Sequence, residues 1–248
     1  MNEQQMGFME HVAELRRRLF VCAVFFIVAF VAGLFLSKPI IVMLEHAPMT
    51  ERLSLNAFRL TDPMFVYMEC AFILALVLTG PLLLYQLWAF VSPGLYDHER
   101  RITLMYIPLT LLLFLAGLGF SYFVLLPFVM DFLIGLTNDL QIEGTFGIYE
   151  YFTFLVQLTL PFGFVFELPL LAMFLTRLGL ITPMFLRAIR KYAYFVLLIV
   201  AGLITPPDVV SQLVVMVPLV ILYEISIWIS GAAYRKVKQA EALLQQED

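Results

Sequence analysis

Two short stretches of this sequence crowd carboxylates against arginines. One is Glu10-His-Val-Ala-Glu-Leu-Arg-Arg-Arg18 and the other is Tyr96-Asp-His-Glu-Arg-Arg101. Such stretches are where guanidinium–carboxylate pairing can occur, in a planar and often bidentate fork that lysine does not reproduce. On a helix, Glu14 and Arg18 are four apart and attract by about 0.2–0.5 kcal/mol, whereas Glu10 and Glu14 repel at the same spacing. Helix arithmetic alone therefore reads the first stretch as a solvated charged face. Three more carboxylates, Glu69, Glu167 and Glu224, fall inside apolar runs, where a charge is costly and has to face protein or water. Glu69 lies about five residues, roughly 8 Å, from one end of its run and reads as interfacial. Glu224 lies near the opposite end of its own run, beside Trp228, which suits snorkelling or a structural pair. Glu167 is deeper and has no basic residue within helical reach, so its carboxyl is expected to hydrogen-bond either a polar group arriving from the side or a structural partner inside the protein.

The elements that position these groups have to cross a membrane. Hydrophobic residues make up 62% of the 248-residue chain and the mean hydropathy is +0.93, against roughly 45–50% apolar residues in soluble domains. Apolar runs approaching or exceeding the span of about 20 residues needed for a core of about 30 Å lie near residues 19–36, 64–90, 102–129, 152–176 and 209–230, with a shorter one at 192–204. The expected fold is an all-α polytopic membrane protein, a single six-span domain over residues 1–248. Residues 1–18 form an amphipathic N-terminal segment and 231–248 a tail. Lysines and arginines decide the orientation, not the net charge of −4. Arg16, Arg17, Arg18, Arg100, Arg101, Arg177, Arg187, Arg190, Lys191, Arg235, Lys236 and Lys238 fall on one side, and only Lys38, Arg52 and Arg59 on the other. That bias puts both termini in the cytoplasm.

Local signals refine this layout. Phe8, Val12, Leu15 and Leu19 share one stripe, so the N-terminal segment is expected to lie along the membrane surface before turning into the first span. Asp62-Pro63 and Thr182-Pro183 read as helix starts, with a capping acceptor followed by a proline whose missing N–H costs nothing there. Asp208, after two prolines, is expected to cap the last span. Pro81, Pro108, Pro161, Pro169 and Pro218 each remove an N–H and crowd the carbonyl four residues back, predicting bent helices in a curved, glove-like wall. Between Lys191 and Pro206 about 14 residues remain, about 21 Å of helix. Either residues 184–189 extend this helix obliquely, or a short hairpin thins the bilayer locally.

Several chemistries are excluded. His11, His46 and His98 lie outside the spans, so neither a haem nor an intramembrane catalytic site has ligands, and no metal is expected. Ser121 lacks the second glycine of a nucleophile elbow, and no GxxxxGK[ST] loop exists for nucleotides. Cys22 and Cys70 sit in apolar runs as small core residues. The first apolar run continues to Leu36 without an A-x-A-like cleavage site, so it reads as a span and not as a cleaved leader. Neither an enzyme, a cofactor nor a nucleic-acid partner is expected. A proton-coupled small-molecule transporter is the alternative that Glu167 keeps open.

One resemblance is specific. Leu84-Tyr-Gln-Leu-Trp-Ala-Phe90 with Pro93, Leu95-Tyr-Asp-His-Glu-Arg-Arg101, His11 with Glu14-Leu-Arg16, Phe166-Glu-Leu-Pro169 and Thr205-Pro-Pro-Asp208 together resemble the TatC family, receptor subunits of the twin-arginine protein translocase. The likeness runs from near residue 11 to about 230, in the same order. It implies a protein of the prokaryotic plasma membrane, or less readily the thylakoid, that recognises signal peptides carrying paired arginines. Such a receptor works with TatA- and TatB-type single-span partners and with further copies of itself, passing folded cargo across the bilayer on the proton-motive force. Carried over residue by residue, the family's signal-peptide acids fall on Glu14 and Glu99, with the matching arginines Arg16, Arg100 and Arg101. Its intramembrane glutamate falls on Glu167 and its outer-side aspartate on Asp208.

Overall fold

The computed structural model describes residues 8–47, 50, 53, 55–91, 106–141, 144–177, 179–205 and 208–247. Nearly all of them are helical. The helices are α1 (Phe8–Glu45), α2 (Asp62–Val91), α3 (Tyr106–Phe120), α4 (Leu126–Asp139), α5 (Ile148–Val165), α6 (Leu168–Arg177), α7 (Pro183–Ala188), α8 (Arg190–Ile204) and α9 (Val209–Glu247). Five helical stretches are long and apolar enough to cross a membrane. The remaining expected span is α8, whose 15 residues amount to about 22 Å. It is short, as the residue spacing predicts. It is not extended by residues 184–189, because Ile189 (φ −85°, ψ 3°) sets α7 apart as its own six-residue helix.

The chain forms two compact units. The first comprises Met1–Leu111 with Thr145–Thr153. In it α1 packs along α2 through a row of small residues: Ala29, Gly33 and Ser37, four apart and buried, face Cys70, Ala71 and Ala75. A Cβ on Gly33 would stand 2.8 Å from the Ala71 carbonyl oxygen, so only glycine allows this approach. Ser37 returns its hydroxyl to the Gly33 carbonyl at 2.7 Å. The segment expected to lie flat before the first span is instead continuous with α1. No proline or glycine interrupts residues 8–32, and the Glu14–Arg18 pair bridges the expected bend. Two-residue strands, β1 (Leu55–Asn56) and β2 (Phe146–Gly147), pair in parallel. The Thr50 and Tyr151 hydroxyls meet beneath them at 3.3 Å. Asp62 accepts from the Arg59 N–H at 2.8 Å, so it braces the turn before α2, where the sequence pattern predicts an acceptor for α2's own first N–H groups.

The second unit comprises Leu112–Gly144 with Phe154–Asp248. Its core includes the fully buried Leu126, Leu158, Phe162, Leu219 and Ile227. A Cβ on Gly117 would lie 2.5 Å from the Phe162 carbonyl oxygen, so α3 and α5 touch backbone to backbone. Between α3 and α4 the residues Ser121–Leu125 form a π turn, with the Leu126 N–H reaching the Ser121 carbonyl. The cause is Pro127: it cannot donate to the Phe123 carbonyl and crowds it, and the wider turn absorbs the mismatch. Pro169 acts more sharply. Its missing partner is the Val165 carbonyl, and α5 stops at Val165. Pro81 and Pro218 lie within continuous helices, and Pro108 sits in the first turn of α3. α6 packs on α9 around a buried Thr176–Ser230 hydroxyl contact of 2.7 Å. Large apolar side chains such as Phe123 and Trp228 remain exposed on this unit, as hydrocarbon-facing residues must.

Candidate functional site

Glu14 and Arg18 lie one turn apart on α1, at the end of the helix that precedes its apolar run. The Arg18 Nε donates to Glu14 Oε1 at 3.0 Å and its Nη2 reaches the same oxygen. Nη1 donates to the Gln86 side-chain oxygen on α2 at 3.1 Å. Arg18 is thereby spread across both helices. Both of its contacts to Glu14 fall on one carboxylate oxygen, so among the described residues Oε2 has no partner. The Glu14 side chain keeps 25% of its surface accessible. Arg16 and Arg17 point outward beside it. The result is a carboxylate pre-oriented by its own helix, with one oxygen open, on a basic face. Such a group can accept an external guanidinium at small cost, because the local pair it exchanges is weak.

Gln86 was not singled out by residue chemistry, although it is the one polar amide in Leu84-Tyr-Gln-Leu-Trp-Ala-Phe90. A polar side chain in an otherwise apolar turn was the available signal. Glu99, Arg100 and Arg101 lie outside the described residues.

Glu167 stands in the two-residue break between α5 and α6. Its N–H bonds the Phe164 carbonyl at 3.1 Å and its carbonyl accepts from Leu171 N–H at 2.9 Å. No side-chain hydrogen bond holds its half-buried carboxyl among the described residues, so the internal partner that would make it purely structural is not found there. Phe166 beside it stacks at 5.5 Å on Phe120. Asp208 caps α9 as expected: Oδ1 accepts from the Ser211 N–H at 2.7 Å. Its Oδ2 and the Ser211 hydroxyl are buried without partners. Glu69 accepts from the Thr153 hydroxyl at 3.2 Å. Glu224 is a structural pair, accepting from Arg190 Nη2 at 2.8 Å and from the Tyr194 hydroxyl. No group of three or more His, Cys, Asp or Glu fit to hold a metal occurs among the described residues.

A family profile described as Sec-independent protein translocase protein (TatC) matches residues 10–218. The chain belongs to the TatC family. It is 59% identical over 242 residues to the Sec-independent protein translocase protein TatCy of Bacillus subtilis, covering 98% of this chain and 95% of that protein. It is 57% identical to TatC of Halalkalibacterium halodurans over 247 residues, covering 100% of this chain and 98% of the relative. The crystal structure of a twin-arginine translocase receptor, TatC, superposes with a TM-score of 0.81 at 32% identity, over 90% of this chain and 99% of the other. The TatC family fold, an all-helical polytopic membrane protein, is thus shared by this chain, and the family's role is that of a protein translocase component.

Proposed function

We propose that this TatC family member is the receptor of a twin-arginine translocase in a prokaryotic plasma membrane, with six spans and both termini cytoplasmic. It binds signal peptides of folded cargo through their arginine pair and organises transport driven by the proton-motive force. Its partners are TatA- and TatB-type single-span proteins and further copies of the chain, and its part is binding and passage, without catalysis. One observation carries this reading: Glu14 is held by a local, exchangeable arginine and, among the described residues, keeps one oxygen without a partner on a face with exposed Arg16. An incoming guanidinium can take that oxygen and then displace Arg18 from the other. Glu99 supplies the second acid, with Arg100 and Arg101 beside it in the sequence. Glu167, at a helix break, offers its carboxyl to a polar group entering from the side. Asp208, whose Oδ2 is buried and has no partner among the described residues, is assigned an outer-side role beyond its cap.

Charge reversal at the second acid tests the assignment. Glu99→Lys abolishes crosslinking to a twin-arginine peptide while the protein stays folded, and unchanged crosslinking removes Glu99 from the site. The proton-coupled transporter gains no support from the relatives above. A solute-binding assay with the purified chain, free of partner proteins, separates the two readings.

A further inference from the structure

The elbow between α7 and α8 holds two cations that have no acidic partner among the described residues. Arg187 and Lys191 are four residues apart and exposed, and near-helical hydrogen bonding runs through the joint from Ile189 N–H to Phe185 O and from Ala193 N–H to Ile189 O. Like charges at that spacing repel. Glu224, which the intervening Arg190 reaches, is already occupied by Arg190 and Tyr194. A further acid does not pair with either cation among the described residues. Around them the surface is apolar: Met184 is 77% exposed, Tyr192 75% and Phe185 52%. The elbow is also fixed in place, because the Tyr223 hydroxyl of α9 donates to the Leu186 carbonyl at 2.8 Å and Arg190 reaches across to Glu224.

We propose that Arg187 and Lys191 bind the phosphate of an anionic phospholipid, with Met184, Phe185 and Tyr192 against its acyl and glycerol region. A single phosphate removes the repulsion between the two cations, and hydrocarbon covers the side chains that water would not. The positive-inside bias places this site in the cytoplasmic leaflet. α8 is the short span, so a headgroup held at the elbow also fixes where that span meets the bilayer surface. The proposal does not depend on signal-peptide binding at Glu14.

The test uses the full-length chain reconstituted in phosphatidylcholine vesicles with spin-labelled phosphatidylglycerol or spin-labelled phosphatidylcholine at low salt. The wild type should prefer the anionic label. Each basic residue near the surface contributes about fivefold, so Arg187→Gln with Lys191→Gln should reduce the preference by about 25-fold. Arg235→Gln with Lys236→Gln, on the exposed tail of α9, should leave most of it intact. The proposal is overturned if the elbow variant keeps the wild-type preference, or if the tail variant loses as much. Thermal unfolding of both variants in the same vesicles should match the wild type, and an elbow variant that loses the preference only by unfolding overturns it as well.

Discussion

Glu14, near the start of α1, and Glu224, well inside α9, each pair with an arginine, yet the two carboxylates are held in opposite ways. Glu14 is gripped by Arg18 from its own helix, through one oxygen, and Arg18 bonds Gln86 on a neighbouring helix. Glu224 is gripped from another helix, and both oxygens are used, one by Arg190 and one by Tyr194. The first pair adds little to stability and leaves its acid able to change partners. The second ties α8 to α9 and has nothing to spare. Pairing within a helix therefore marks an acid available to ligand, and pairing across helices marks one consumed by the fold.

Charge reversal is the strongest way to break that distinction. Two charge-assisted hydrogen bonds at about 1.5–3 kcal/mol each put the loss of twin-arginine peptide affinity in Glu14→Lys at about 100-fold or more, with Tm nearly unchanged. Glu224→Lys should do the reverse, lowering Tm by several degrees while the folded fraction binds peptide normally. Peptide titration and thermal unfolding on both variants decide it, and equal losses of affinity would erase the contrast. Neutralising the arginines sharpens it. Arg18→Gln removes a competitor worth about 0.2–0.5 kcal/mol and should raise peptide affinity about twofold. Arg190→Gln should leave affinity unchanged and cost about 1 kcal/mol of stability, because its partially exposed pair is screened. Asp208 extends the comparison to an acid whose duty is a helix cap. Asp208→Ala should cost about 1 kcal/mol and Asp208→Asn almost nothing, read by Tm. A clear export defect in the Asn variant, with stability intact, assigns Asp208 a part beyond capping.

Much of this was legible in the residues. Hydropathy located the spans and the shortness of α8, the Thr182 and Asp208 caps followed from side-chain type, and the Glu14–Arg18 pair followed from four-residue spacing. Elements defined by contacts between distant residues were not legible. Gln86 meets Arg18 across 68 positions and Arg190 meets Glu224 across 34, and no periodicity reports such a partner. Gly33 and Gly117 reveal themselves only when the opposing backbone is in place. Proline positions were visible, but their effects were not: Pro169 ends a helix and Pro127 widens one, whereas Pro81 and Pro218 sit inside unbroken ones.

The central claim is that Glu14 and Glu99 together grip an arginine pair. The direct measurement is site-specific photocrosslinking from positions 14 and 99 to an added signal peptide, run in parallel with the same peptide carrying two lysines. Strong crosslinks from both positions to the arginine peptide, falling at least tenfold for the lysine peptide, are the predicted result. Equal crosslinking to both peptides, or none from position 14, would contradict the account.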